Sequence, residues 1–233
     1  MGIPEVFANT VFARAGWDSV TLDAQHGLFD APSIVATLLA LSAPSPKRFV
    51  RVAWNEPGSI GKVLDAGADG VIVPMINSDE EAKRLSEACW YPRGGRRSFG
   101  PVLASMRAGD VPYETFASGI EVLAMIETGE ALAAVDAIAS VDGITGLFVG
   151  PNDLGIALGL APGTDREEPM MIEAFHTIIG AAARAGKTAG IFCGSPAYAK
   201  RMGELGFDMV TAGSDSRLLA QSAAAVCKAA RRA

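Results

Sequence analysis

The 233 residues suit one domain spanning 1–233, since α/β barrels of about 250 residues fold as a single unit, and 49% hydrophobic with 20% charged residues leaves little for a linker. A net charge of −6 excludes a nucleic-acid partner and an anionic membrane surface, both of which need clustered basic charge. Three scattered cysteines, Cys89, Cys193 and Cys227, exclude a disulfide framework, and there is neither a basic leader nor an apolar run of about 18 residues, so free thiols in the cytoplasm are expected.

The chain opens on Gly2-Ile3-Pro4 and passes directly into an expected helix over 4–15, so a first strand is truncated or missing. Runs rich in Val, Ile and Phe then predict buried strands over 19–24, 48–53, 70–75, 121–126, 145–150, 188–193 and 208–213. Between them, apolar residues at three- and four-residue spacing predict helices over 32–43, 57–66, 78–89, 129–140, 168–185, 196–204 and 215–230. Asn77-Ser78-Asp79 acts as a start signal, and Gly67 and Gly186 as stops. Such alternation means parallel βαβ units, and the number of strands favours a (β/α)8 TIM barrel over a doubly wound sheet. The span 76–120 is too long for one helix. It contains the Gly-rich basic stretch Trp90 to Pro101, which is expected as a functional excursion over the barrel mouth.

In such a barrel the chemistry sits at the C-terminal strand ends, where Asp23, Gln25, His26, Arg51, Glu127 and Asp153 fall. His26, with Asp23 three residues earlier to fix its tautomer, suits a general base, or else satisfies a loop backbone. His176 lies mid-helix and reads as structural. Glu127 and Asp153 suit a hard divalent ion such as Mg²⁺ or Mn²⁺, with helix capping as the competing role. The turn Gly150-Pro151-Asn152-Asp153 opens toward a helix, so its free amides can hold a substrate carboxylate. Arg51 needs an anion, either a developing enolate oxygen or an acid on the next strand. No Schiff-base lysine is expected, because Lys47, Lys62, Lys83, Lys187, Lys200 and Lys228 fall in helices or before strands; no nucleotide-binding glycine motif occurs either.

Six motifs in order resemble the HpcH/HpaI aldolase family over nearly the whole chain. They are Ala15-Gly16-Trp17-Asp18 leading to Leu22 through Gly27, Arg51 through Asn55, Val73-Pro74-Met75, the Tyr91 to Gly100 loop, Ile126-Glu127-Thr128, and Val149 through Leu154. The resemblance implies His26 as general base oriented by Asp23, Arg51 as enolate stabiliser, and Glu127 and Asp153 as ligands of Mg²⁺, Mn²⁺ or Co²⁺. It also implies that Asp65, otherwise a solvated helix residue, reaches the site of a neighbouring subunit. A homo-oligomer is implied as well, a trimer of dimers in which the helix over 215–230 is exchanged between partners. Met125 stands where the family has a substrate-binding glutamine.

The implied activity is that of a class II pyruvate aldolase, a carbon–carbon lyase joining pyruvate enolate to an aldehyde or cleaving a 4-hydroxy-2-oxo acid. Two alternatives carry different predictions. An acyl-CoA lyase of the citrate or malyl type would use Arg93, Arg96 and Arg97 for the CoA phosphates, and a non-catalytic metal-binding barrel would show no pyruvate proton exchange. Trp54 and Phe99 are candidates for the aldehyde pocket or for the core.

Overall fold

The computed structural model describes residues 1–41 and 46–231. In chain order the elements are α1 (Val6–Ala13), β1 (Ser19–Asp23), α2 (Ala31–Ala40), β2 (Lys47–Arg51), α3 (Pro57–Asp65), β3 (Gly70–Val73) and α4 (Asp79–Cys89). Next come α5 (Val102–Ala108), α6 (Tyr113–Ala117), β4 (Glu121–Ile126), α7 (Gly129–Ala133), α8 (Val135–Ser140), β5 (Gly146–Val149) and α9 (Pro151–Ala157). The chain closes with α10 (Pro169–Arg184), β6 (Thr188–Ile191), α11 (Pro196–Leu205), β7 (Met209–Val210) and α12 (Asp215–Ala230). Residues 42 and 43 of the helix expected over 32–43 lie outside the described residues.

Among the described residues the strands form one curled, all-parallel sheet in the order β1 to β7. Alternation along the strands separates two apolar layers, because successive side chains point to opposite faces. Phe49, Ile72, Leu123, Met125 and Phe148 fill the concave side. Val50, Val71, Val73, Val122, Leu147 and Val149 meet the helices on the convex side. Among the described residues no ladder joins β7 to β1, and no strand precedes α1. The Met1 carbonyl instead accepts the Asp23 amide at 2.9 Å, while the Gly2 and Ile3 amides donate to Asp215 at 2.8 and 3.0 Å.

Local signals place the helices. Asp30 and Ser33 form a capping box ahead of α2, with Pro32 at its start. Ser78 caps α4, whose first turn carries Asp79, Glu80 and Glu81 against the positive end of the helix dipole. The single helix expected over 129–140 is two. Ala134, at φ −95° and ψ 8°, ends α7 and begins α8.

The excursion after α4 corrects a sequence expectation, for it lies at the end of the sheet opposite the mouth. A helix that comes after a strand returns the chain to the N-terminal edge, so everything between α4 and β4 starts there. Trp90 Nε1 donates to the Gly143 carbonyl, three residues before β5, at 2.8 Å. Arg107 donates to the Gly67 carbonyl and to Asp69, just before β3, both at 2.7 Å.

Candidate active site

The strand ends open into a cavity of about 420 Å³ lined by Asp23, His26, Arg51 and the turn Gly150–Asp153, with Met125 and Phe148 beneath. Arg51, on the concave face of β2, meets Asp23 of β1 in a two-point pair, Nε to Oδ1 at 2.9 Å and Nη2 to Oδ2 at 2.6 Å. The partner is thus an acid on an adjacent strand. Both side chains remain about one-fifth exposed to the cavity, and Arg51 Nη1 has no partner among the described residues. Burial works against the Asp23 carboxylate, but the hydrogen bonds and charge of Arg51, with the His26 and Gln25 amides, outweigh it and hold its pKa below the usual range.

Asp23 reaches His26 through the backbone: the His26 amide donates to Oδ1 at 3.3 Å and the Gln25 amide at 3.0 Å. Its carboxylate is committed to Arg51, so it shapes the turn carrying His26 and makes no bond to the imidazole. The His26 ring is exposed at the cavity rim. His176 sits on the exposed face of α10.

Glu127, the residue after β4, is 2% exposed. Its one donor among the described residues is the Met75 amide, at 2.7 Å from Oε1. Burial pushes its pKa up, the Met75 hydrogen bond pulls it down, the nearby Asp153 charge pushes it up again and Arg51 opposes; the net effect is upward. Gly150 is required beside it, since a Cβ there would lie 2.5 Å from Glu127 Oε2. Asp153, in the first turn of α9, is exposed and makes no hydrogen bond among the described residues. Neither acid caps a helix: Thr128 caps α7, and the Gly150 start of α9 has no side-chain cap. Asn152 Oδ1 is used by the Gly163 amide at 2.7 Å.

The two carboxylates fit a hard divalent cation. Glu127 is buried with a single donor among the described residues, Asp153 makes no hydrogen bond among them, and the Asp153 charge adds to the cost of the Glu127 carboxylate, which a nearby cation would offset. Among the described residues no group of three or more His, Cys, Asp or Glu converges on a common point.

Other expected residues lie elsewhere. Asp65, at the end of α3, accepts from Arg97 Nη2 at 2.6 Å at the opposite end of the sheet from His26. Arg93, Arg96 and Arg97 share that end, and none of them lines the cavity at the mouth. Phe99 packs there on Tyr91 and Tyr113, with ring centroids 5.2 and 5.9 Å apart, and so does not line an aldehyde pocket in its own chain. Trp54 is exposed in the loop after β2 and is not part of the cavity wall. Burial pushes the Cys89 and Cys193 thiols up to about 12, and the two do not pair. Sequence reasoning named Met75, Thr128 and Gly150 only within motifs and Asn77 only as a helix start, and it missed the contacts by which they surround Glu127.

The curled parallel sheet carries at its strand ends a buried acid with a single donor among the described residues, an exposed acid and an arginine–aspartate pair. The HpcH/HpaI aldolase/citrate lyase family model matches residues 7–222, and the chain belongs to that family of carbon–carbon lyases. It is 42% identical over 229 residues to the hydroxypyruvate/pyruvate aldolase of Rhizorhabdus wittichii, covering 98% of this chain and 91% of that one. It is 34% identical to the 4-hydroxy-2-oxo-heptane-1,7-dioate aldolase of Klebsiella pneumoniae, covering 97% and 86%. A crystal structure of a family member from Burkholderia cenocepacia superposes with a TM-score of 0.90 at 27% identity, covering 100% of this chain and 93% of that one. No helix among the described residues is long and apolar enough to cross a membrane.

Proposed function

We propose that this chain is a divalent-metal-dependent pyruvate aldolase, cleaving 4-hydroxy-2-oxo acids to pyruvate and an aldehyde or running the reverse addition. The observation that carries the reading is the contrast, among the described residues, between the buried Glu127, with one donor, and Asp153, with none, across the cavity from Arg51. Glu127 and Asp153 would hold Mg²⁺, Mn²⁺ or Co²⁺, which when bound polarises the substrate ketone as a Lewis acid.

The chain's own residues account for the remaining steps. Arg51, oriented by Asp23, offers Nη1 to the oxygen on which enolate charge develops. The backbone amides at Asn152 and Asp153 receive the substrate carboxylate, with Pro151 fixing the turn. In cleavage His26 takes the proton of the 4-hydroxyl, the C3–C4 bond breaks, its electron pair passes into the enolate and the aldehyde departs. Protonation at C3 then gives pyruvate. Met125, Phe148 and Ile72 form an apolar floor that keeps bulk water from the carbanionic carbon.

α12 supports an oligomer, because along Asp215–Ala230 only Asp215 is buried while Leu219 and Val226 are 63% and 66% exposed. We infer that this helix packs on a second copy, that the reach of Asp65 into a neighbouring site belongs to the assembled form, and that the unpaired thiols suit a reducing cytoplasm.

The test is exchange of pyruvate methyl protons for deuterium, followed by NMR, in wild type and H26A, with divalent metal and after chelation. The reading expects exchange that needs metal. Folded, metal-supplied protein that exchanges no faster than buffer would overturn it.

A further inference from the structure

Glu127 is held by more than its single donor. The Met75 amide that bonds Glu127 belongs to a non-glycine residue at φ 56°, in the left-handed region that L side chains rarely adopt. Such a conformation persists only where neighbouring groups over-determine it. Here the neighbour is Asn77. Its Nδ2 donates to the Met75 carbonyl at 3.2 Å, and its Oδ1 accepts the Thr128 hydroxyl at 2.6 Å. The direction of both bonds is forced, because a carbonyl can only accept, which leaves Oδ1 to face the hydroxyl. Thr128 is covalently next to Glu127, so the contacts close a ring: Glu127, Met75, Asn77, Thr128 and back to Glu127.

The ring is anchored on both sides. Asn77's own amide donates to Glu81 Oε2 at 2.7 Å, and Asn55 holds the Glu81 carbonyl at 3.2 Å. Thr128 Oγ1 accepts the Ala131 amide at 3.0 Å while giving its one proton to Asn77. Thr128 therefore has no spare proton for another partner, and Asn77 ties the ends of β3 and β4 together beside the acid.

We propose that Asn77 is a positioning residue of the site: through Met75 and Thr128 it fixes the orientation of the buried Glu127 carboxylate behind the cavity wall, near Asp153 and Arg51. The inference rests on the reading of Glu127 as a metal-holding carboxylate. Groups that orient a ligand from behind it carry about 10- to 100-fold in metal affinity or activity.

Two readouts test it in N77A, T128V, T128S and S78A: hydrogen exchange at the Met75 amide in ¹⁵N-labelled protein, and Mn²⁺ affinity from loss of the free-ion EPR signal. N77A and T128V are expected to lose Met75 protection and to bind Mn²⁺ about 10- to 100-fold more weakly. T128S, which keeps the hydroxyl, should restore both relative to T128V. Ser78 caps α4 outside the ring, so S78A should lower the melting temperature with both readouts unchanged. T128V supplies the decision should N77A fail to fold. Unchanged Met75 protection in the folded variants overturns the inference, as does lost protection with wild-type Mn²⁺ affinity. A wild-type chain that binds no Mn²⁺ sinks the metal reading instead, and Met75 protection alone then decides about the ring.

Discussion

Acids and arginines meet at both ends of this sheet, and they are treated differently. At the N-terminal end Asp69 is saturated: it accepts from the Arg48 amide at 2.8 Å, from Arg48 Nε at 2.9 Å and Nη2 at 3.2 Å, and from Arg107 Nη2 at 2.7 Å. Arg48 is wholly buried, and its remaining nitrogen Nη1 reaches the Leu41 carbonyl. At the mouth, among the described residues, Glu127 has one donor, Asp153 has none, and Arg51 keeps a nitrogen in reserve. Buried charges whose hydrogen-bonding capacity is used up hold a fold together. Charges left with capacity in a cavity are those available to a ligand.

That contrast can be broken most heavily at Asp69. D69A leaves the buried Arg48 guanidinium without its anion, and a loss of about 3–5 kcal/mol in unfolding free energy is expected from denaturant melts. The exchange rate per folded molecule should stay at wild type; a fall in that rate without a stability loss would reverse the roles assigned to the two ends. R51A should do the opposite, lowering pyruvate exchange by about 10²- to 10³-fold as an oxyanion donor is lost. Exchange within a few-fold of wild type in folded R51A would leave the arginine a structural partner of Asp23.

G150A sharpens the comparison within the mouth. Its methyl would stand 2.5 Å from Glu127 Oε2 and 3.1 Å from Met125 Cε, so the carboxylate must move. Overpacking of this kind costs about 1–3 kcal/mol, and loss of exchange should accompany it. The smallest effect is in acid. The pKa of Asp23 is depressed on folding, so its contribution to stability is present above the unfolded carboxylate value and is lost as pH falls through the lower folded value. Melting curves of wild type and R51A should therefore differ less in strong acid than at neutral pH; a constant difference would mean that the Asp23–Arg51 pair adds no pH-dependent stability.

The strands were legible because runs such as Val71-Ile72-Val73 and Leu147-Phe148-Val149 are buried on both faces, a pattern that leaves little choice of element. The break at Ala134 was not, since a one-residue change in backbone angles leaves the three- and four-residue spacing intact. The stretch Trp90 to Pro101 was placed at the wrong end although chain order decides it, because a segment that comes after a returning helix begins at the N-terminal edge. At the site, His26, Arg51, Glu127 and Asp153 could be named because charged side chains at strand ends are visible as residue types, and the structure gathers them around one cavity or its wall. Met75 acts through its amide, Gly150 through the absence of a side chain, and Asn77 and Thr128 through bonds to other residues. None of these contributions is written in residue type.

The most direct test places the two ends in one experiment, with E127Q and D69N compared for metal-dependent pyruvate proton exchange and for thermal melting. Glu127 has its pKa raised by folding, so at neutral pH its charge opposes folding, and that cost is relieved as pH falls through the raised value. E127Q should therefore melt no lower than metal-free wild type at neutral pH while exchange falls to the buffer rate, and D69N should melt lower with exchange retained. E127Q protein that exchanges pyruvate protons at the wild-type rate would contradict the account.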